Sequence, residues 1–391
     1  MIGLEEARHR LLALGTQLSA ETYKIQHCSG RYLARDITAR RTQPAADMSA
    51  MDGYAVRFGD LGEAMQIIGE SAAGRPFAGG MLAGQAVRIF TGAHMPAGAD
   101  SVLIQEDSEA QNNLLRMVSD GPKQRGENIR KAGSDFTNGD ILLRSGQLLN
   151  AGAIAAAVMG GYGELDVGRR PKVVVIGSGD ELVMPGALAA PEQIPSSNNN
   201  MLCTMLHSLP CEVIDAGIVG DSMNSIVNKF AQHTDADIIV TSGGASVGDH
   251  DLIQPALIGM GAGIDFWRVA IKPGKPMMAG RLGGSIVIGL PGNPGSAFVT
   301  AFLFLLPLVR HLAGSNAPWP AQYSAITPTD IPATGTRTEF LRAVVNGPEI
   351  TPLSAQDSGI THTLAAANAL LIRAAYSDAA IKGDLADYLL I

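Results

Sequence analysis

The sequence predicts a multidomain α/β and β protein organised around a doubly wound α/β domain. Three segments carry this prediction, residues 171–182, 237–251 and 285–296. Each begins with an apolar, largely β-branched run and continues through a glycine-containing turn into polar residues. A continuous apolar run is typical of a strand buried on both faces, as in a parallel sheet. Ligands of such sheets bind beyond the carboxyl ends of the strands, so the three turns predict one site.

The domain organisation follows from changes of pattern along the 391 residues, which are too many for a single core. The chain opens with apolar residues at helical spacing, and an alanine-rich helix follows much later. Short strands between glycine turns separate the two, strand–helix alternation comes next, and short alternating runs end the chain. We therefore expect a split helical linker domain (residues 1–20 and 141–169), an inserted mostly-β domain (21–140), an α/β domain (170–318) and a C-terminal β-barrel-like domain (319–391).

Details within the α/β domain can be predicted from the same patterns. Residues 266–271 are expected to form one strand, with residues 277–281 returning beside it as a hairpin. Ser296 is expected to be the N-cap of a helix whose apolar residues 297–309 are too few to cross a bilayer. We interpret that helix as a core or dimer-interface element.

Composition limits the classes of function. A hydrophobic content of 46% with 17% charged residues is typical of a globular chain. The net charge of −8 argues against non-specific binding of nucleic acid, and no membrane partner is expected. The 3 cysteines cannot form a closed disulfide set, which favours a reducing compartment, the cytoplasm.

The strand-end turns carry carboxylates, and separate turns carry cations. Glu181, Asp221 and Asp251 follow predicted strands, whereas Lys272 and Lys275 lie in a later turn. Carboxylates would repel a phosphate substrate unless a divalent cation lay between them, and Mg²⁺ binds a few carboxylates together with phosphate oxygens. Lysines and glycine N–H groups would then hold the anion. The alternative is that these charges are solvated loop residues, which holds more readily for one residue than for the whole set.

Six motifs occur together and in order. They are residues 49–55, 91–100, 179–182, 242–251, 272–276 and 290–294. Together they resemble the molybdopterin molybdenumtransferase family, which includes MoeA and the E domain of gephyrin, and the resemblance covers nearly the whole chain. It implies a four-domain homodimer whose α/β domain is MogA/MoaB-like. The implied reaction inserts molybdate into adenylylated molybdopterin, a pyranopterin dithiolate joined to AMP, and releases AMP with the help of Mg²⁺.

The resemblance also implies roles for particular residues. The implied catalytic residues are Asp52, Glu181, Asp221, Asp251 and Lys275. Of these, Glu181, Asp221 and Asp251 are the implied Mg²⁺ ligands. The implied substrate-binding residues are Thr91, Arg130, Asp135, Ser242, Gly243, Gly244, Ser246, Arg268, Lys272, Pro291, Asn293 and Pro294. The cleft is expected to form between the α/β domain of one subunit and the inserted domain of the other.

Other functions remain open at this stage. The adenylyltransferase that makes the substrate shares the α/β domain, but it would leave residues 1–165 unexplained. A receptor-anchoring scaffold would not require Asp52, Glu181, Asp221 and Asp251 all to be acidic. A paralogue that inserts tungstate fits equally well, because the two oxyanions are alike in charge and shape. The upstream adenylyltransferase and apo-molybdoenzymes are the expected protein partners.

Overall fold

The computed structural model describes residues 1–244 and 252–391, and these residues form two compact units. Ser246 and Asp251 therefore lie outside the described residues. The larger unit consists of Met1–Arg35, Ser145–Asn150 and Asp166–Ile391, and the smaller unit of Asp36–Arg144 and Ala151–Leu165. The chain leaves the larger unit and returns to it twice.

The larger unit contains the predicted α/β sheet, which has 6 strands. In spatial order they are Glu212–Val219, Lys172–Ser178, Ile238–Ser242, Ser285–Leu290, Met278–Leu282 and Gly263–Trp267. The first four strands are parallel to one another, and the fifth pairs antiparallel with both of its neighbours, so the sheet is mixed. Lys172–Ser178 has the next strand of this sheet, Glu212–Val219, on one side and the later strand Ile238–Ser242 on the other. That arrangement is a topological switch point, where α/β sheets bind ligands.

Successive residues of the central strand face opposite sides of the sheet. Val173 and Val175 pack into one buried cluster, whereas Val174 and Ile176 pack into another. This alternation follows from the two-residue period of a strand, and burial on both faces explains the continuous apolar sequence. Both faces are covered by helices. They are Leu4–Ala13, Ser197–His207, Met223–Ala231, Ile253–Gly259 and the long helix that begins at Pro294.

The strand expected at residues 266–271 is interrupted, so this prediction was wrong. Gly263–Trp267 ends before Arg268, whose φ of 76° cannot continue a pleated strand. Ile271–Lys272 then forms a separate strand that pairs with the C-terminal barrel. The predicted hairpin is confirmed, since Met278–Leu282 pairs antiparallel with Gly263–Trp267.

The long apolar helix runs as three consecutive segments, Pro294–Thr300, Ala301–Leu305 and Leu306–Leu312. At 19 residues it is longer than expected, and by length and composition it could cross a membrane, yet 83% of its apolar window is buried inside the protein. Its N-cap is Asn293 and its first residue is proline, which already has the φ of a helix and needs no N–H there. The prediction of Ser296 as N-cap was therefore wrong.

The C-terminal part of the larger unit is a closed barrel, as predicted. Five strands pair in a ring, so each has two neighbours. Around the ring they are Gln322–Ile326, Glu349–Pro352, Thr338–Asn346, Ala369–Arg373 and Leu385–Leu390. Other elements of this unit are Ala20–Lys24, Leu182–Val183, Ile194–Pro195 and the short helix His362–Ala366.

The smaller unit is mostly β and contains a sheet of 6 strands. In order they are Ser101–Ile104, Gly53–Val56, Gln85–Ile89, Met65–Ser71, Leu114–Met117 and Ser108–Gln111. Two short pairs, Ile37–Thr38 with Ile141–Leu143 and Met48–Ser49 with Ile129–Arg130, lie outside this sheet. The alanine-rich helix Ala151–Met159 belongs to the same unit.

Candidate functional site

A cavity of about 750 Å³ lies at the carboxyl ends of the parallel strands, within the larger unit. Eight of the predicted site residues line it: Glu181, Asp221, Gly243, Gly244, Lys272, Lys275, Pro291 and Asn293. The barrel contributes further lining residues, namely Arg337, Phe340, Leu341, Gln356, Asp357 and Ser358. The volume is in the range of cavities that hold small-molecule ligands. Described residues of all three strand-end turns thus line one cavity.

Two of these turns pass close to each other and require glycine. A Cβ on Gly243 would collide with the carbonyl oxygen of Ser178, and Gly243 has a φ of 91°. The N–H of Gly243 donates over 3.2 Å to the carbonyl of Leu290, the last residue of the neighbouring strand. Glycine here lets three strand ends approach closely, and it leaves backbone N–H groups near a ligand.

The acidic side of the cavity is held by bonds between two strand ends. Asp221 Oδ1 accepts a hydrogen bond from the Ser178 hydroxyl over 3.1 Å. The Asp221 N–H donates to Asp180 Oδ1 over 2.9 Å. Asp180 was not singled out from the sequence, although it directly precedes Glu181. Both Glu181 and Asp221 are exposed, so they can reach a ligand or an ion.

The basic side combines the predicted turn with a residue of the barrel. Lys272 and Lys275 are exposed, and Lys272 Nζ lies 3.0 Å from Glu339 Oε1. Arg337 precedes the barrel strand that pairs with Ile271–Lys272, which brings its guanidinium to the same cavity. Three cations therefore face the cavity, and two of them come from one short turn.

The proline loop connects the α/β sheet to the barrel. The Asn293 side-chain amide donates to the Ser358 hydroxyl over 3.0 Å, and the Gly295 N–H donates to the Ser358 carbonyl over 2.8 Å. The barrel residues Arg337, Asp357 and Ser358 were missed in the sequence. Their segments read as ordinary strand and loop, and only the barrel's closure brings them to the strand ends.

Three predicted residues of the larger unit are not among the described residues that line the cavity. Ser242 is buried beneath the glycine turn, and Pro294 is the first residue of the long helix. The Arg268 guanidinium lies 5.1 Å from the centre of the Trp267 ring.

The smaller unit holds Asp52 in a fixed position. Asp52 Oδ1 accepts hydrogen bonds from the N–H and the hydroxyl of Thr91, over 2.7 and 2.9 Å. These bonds hold the pKa of the exposed carboxyl below its usual value, and the charge of Arg88 acts in the same direction. The Arg88 guanidinium lies 5.0 Å from the centre of the Tyr54 ring and 4.9 Å from the centre of the Phe90 ring. The described geometry therefore brings together two of the four residues predicted here.

The other two residues lie on neighbouring segments. Arg130 is exposed and pairs with Met48 across a two-stranded ladder, next to the segment that leads to Asp52. Asp135 is exposed in a loop, and its own backbone N–H donates to the Gln43 carbonyl over 3.1 Å.

The acidic side of the cavity suits Mg²⁺ by the chemistry of its donors. Glu181 and Asp221 offer carboxylate oxygens to the same cavity, and Mg²⁺ is commonly held by one or two carboxylates together with substrate phosphates. In the described residues no cluster of three or more histidine, cysteine or acidic side chains surrounds one point. The third predicted ligand, Asp251, lies outside those residues.

Three consecutive regions of the chain match known protein families. Residues 2–161 match the MoeA N-terminal region (domains I and II), residues 174–311 a probable molybdopterin binding domain, and residues 324–391 the MoeA C-terminal region (domain IV). The three matches together span nearly the whole chain.

Individual proteins show the same likeness over most of their length. The chain is 37% identical to the molybdopterin molybdenumtransferase of Haemophilus influenzae over 88% of this chain and 85% of that protein. It is 31% identical to the enzyme of the same name from Bacillus subtilis, over 95% and 90% of the two chains. A crystal structure of the molybdopterin biosynthesis MoeA protein of Pyrococcus horikoshii superposes over 100% of both chains with a TM-score of 0.86 at 26% identity.

Proposed function

Because the chain belongs to the MoeA family of molybdopterin molybdenumtransferases, transferases of molybdenum cofactor biosynthesis, we propose that it inserts molybdate into adenylylated molybdopterin and releases AMP. We further propose that the reaction depends on Mg²⁺ and takes place in a cytoplasmic homodimer. The observation that carries the proposal is that lysines, an arginine and carboxylates from the strand ends and the barrel all line one cavity.

The basic side suits the two anions of this reaction. Lys272, Lys275 and Arg337 face the cavity together with the glycine turn at Gly243 and Gly244. Point charges and backbone N–H groups are what proteins use to bind phosphate oxygens. Molybdate is also an oxyanion and can be bound by the same kinds of groups. We assign these residues to the pyrophosphate bridge of adenylylated molybdopterin and to molybdate.

The acidic side explains the proposed metal dependence. Glu181 and Asp221 would repel the same phosphates if no cation lay between them. We assign both as Mg²⁺ ligands, with Asp251 as the third. When bound, Mg²⁺ would neutralise charge on the phosphate that leaves with AMP. The protein's part is to hold Asp221 in place through Ser178 and Asp180.

The residues of the smaller unit belong to the same proposal. We assign Asp52, Thr91, Arg130 and Asp135 to the substrate cleft, with Asp52 held ready by Thr91. The cleft would combine this unit of one subunit with the larger unit of the other. We also propose that the upstream adenylyltransferase delivers the substrate and that apo-molybdoenzymes receive the product.

The direct test incubates the purified protein with adenylylated molybdopterin, molybdate and Mg²⁺ and measures AMP release. We expect AMP in proportion to molybdenum bound by the pterin, and little AMP when EDTA or the absence of molybdate removes a component. Glu181→Gln should lower the rate by about 100-fold or more, since charge stabilisation at a reacting phosphate contributes factors of this size. Lys275→Ala should raise the substrate Kd by about tenfold, the cost of one lost charge-assisted hydrogen bond.

Matched controls change the same residue types outside the cavity. Glu349→Gln and Lys382→Ala alter exposed barrel residues and should behave as wild type. Wild-type rates in Glu181→Gln would contradict the assignment of the acidic side. AMP formed from ATP and molybdopterin, without added adenylylated substrate, would instead favour the adenylyltransferase. Faster turnover with tungstate would identify a tungsten-inserting enzyme.

A further inference from the structure

Asn198 connects two of the strand-end turns that form the cavity. It is the second residue of the helix Ser197–His207. Its side-chain amide donates to the Ser242 hydroxyl and to the Gly292 carbonyl, over 2.7 Å in each case. These acceptors follow neighbouring parallel strands, in which Ser242 pairs with Leu290. The two hydrogens of one NH₂ group are therefore donated to two different turns.

The turns that Asn198 connects supply backbone to the cavity. Gly243 and Gly244 follow Ser242 directly, and Asn293 follows Gly292; all four glycine and asparagine residues of the two turns line the cavity. Two longer bonds described between these segments do not involve Asn198: the Gly243 N–H donates to the Leu290 carbonyl over 3.2 Å, and the Ser242 hydroxyl donates to the Pro291 carbonyl over 3.5 Å. The two bonds from Asn198 are the shorter ones, so we expect its side chain to set the distance between the turns and the direction of their N–H groups.

The effect of backbone N–H donors on a reaction rate depends more on where they are held than on how strongly they bind the substrate. Donors that face a reacting oxyanion act by being fixed where charge develops, and a shift of about 1 Å can cost about 100-fold in rate. Asn198 does not line the cavity among the described residues, so it can act only through the turns.

We propose that Asn198 is a positioning residue, which holds the glycine turn and the proline loop at the spacing required for transfer of molybdate. This inference rests on the proposed function for its kinetic part. It also makes a structural claim that holds without any substrate: the two turns should loosen together when the amide is replaced.

The test compares Asn198→Asp and Asn198→Ala with Asn200→Asp, which places the same charge on the same helix at an exposed asparagine. Hydrogen exchange is first measured without substrate in peptides covering residues 238–244 and 285–293. We expect faster exchange in both peptides for the two Asn198 variants, and wild-type exchange for Asn200→Asp. Unchanged exchange in Asn198→Asp would overturn the proposal, whatever the enzyme's activity.

The kinetic arm measures AMP release by the same variants. We expect kcat to fall by about 10- to 100-fold in both Asn198 variants, with KM changed less than threefold and the melting temperature close to that of Asn200→Asp. An aspartic acid regains one O–H donor when protonated, so the activity of Asn198→Asp relative to wild type should rise as the pH is lowered, whereas Asn198→Ala should show no such rise. Loose turns with an unaltered kcat would overturn the positioning role. A wild-type protein that releases no AMP would refute the proposed function and leave the exchange result to decide the structural claim.

Discussion

At the scale of single residues, the absence of a side chain at Gly179 leaves the space that the Glu181 carboxylate occupies. Gly179 has a φ of 150°, and a Cβ there would lie 2.7 Å from Oε1 of Glu181. We predict that Gly179→Ala displaces the Glu181 carboxylate and lowers AMP release by about tenfold or more, with about 1–3 kcal/mol of lost stability from backbone strain. Gly186→Ala is the matched control, because Gly186 also has a positive φ but nothing lies within 4 Å of its Cβ position. Equal loss of activity in both variants would mean that strain alone is responsible.

The hydrogen bonds to Asp52 predict a pH dependence of stability. The pKa of Asp52 in the folded protein lies below its ordinary value of 3.8, chiefly through Thr91. The stabilisation is therefore complete above the ordinary pKa and is lost as the pH falls through the lower, folded-state value. Thr91→Val removes the hydroxyl bond, so it should destabilise the protein at pH 6 and have less effect near pH 3. Urea denaturation at both pH values measures this difference, and in the Asp52→Asn background Thr91→Val should show no pH dependence.

At the scale of secondary-structure elements, the sequence predicted best those parts whose pattern is local. The buried strands at residues 173–176 and 285–290 and the hairpin at 277–281 follow from apolar runs and turn residues. The break at Arg268 did not, because a left-handed φ in a non-glycine residue depends on the pairing of the flanking segments with different sheets. The barrel wall of the cavity was missed for a similar reason, since closure of the barrel is a long-range event.

The contact between the long helix and the barrel predicts opposite effects of alanine at two helical glycines, one at the contact and one away from it. A Cβ on Gly295 would lie 2.7 Å from Nη1 of the buried Arg342 and 2.9 Å from the Ser358 carbonyl. Gly295→Ala should therefore destabilise the protein by about 1–3 kcal/mol through overpacking. Gly259→Ala, in a helix with open space at the Cβ position, should stabilise it by about 0.5–1 kcal/mol. Chemical denaturation measures whether each variant raises or lowers the free energy of unfolding. An unchanged value for Gly295→Ala would show that the barrel loop moves aside at no cost.

At the scale of the whole molecule, the predicted site residues are divided between the two units. Glu181, Asp221 and Lys275 lie in the larger unit, and Asp52 and Thr91 in the smaller. One carboxylate residue in each group is held by local hydrogen bonds, Asp221 by Ser178 and Asp180 and Asp52 by Thr91. The proposed cleft combines both groups, so the proposal can be tested by mixing subunits that are altered in different units.

The proposed homodimer with a shared cleft predicts complementation between two inactive variants. Asp52→Asn alters the smaller unit, and Glu181→Gln alters the larger one. If a cleft combines the larger unit of one subunit with the smaller unit of its partner, a mixed dimer has one intact cleft and one doubly altered cleft. For a two-fold dimer with free exchange of subunits, an equal mixture should regain about a quarter of wild-type AMP release. Sedimentation of each variant alone checks that both still form dimers. A mixture that exchanges subunits and stays inactive would show that each cleft is built within a single chain, because every cleft would then carry one of the two changes.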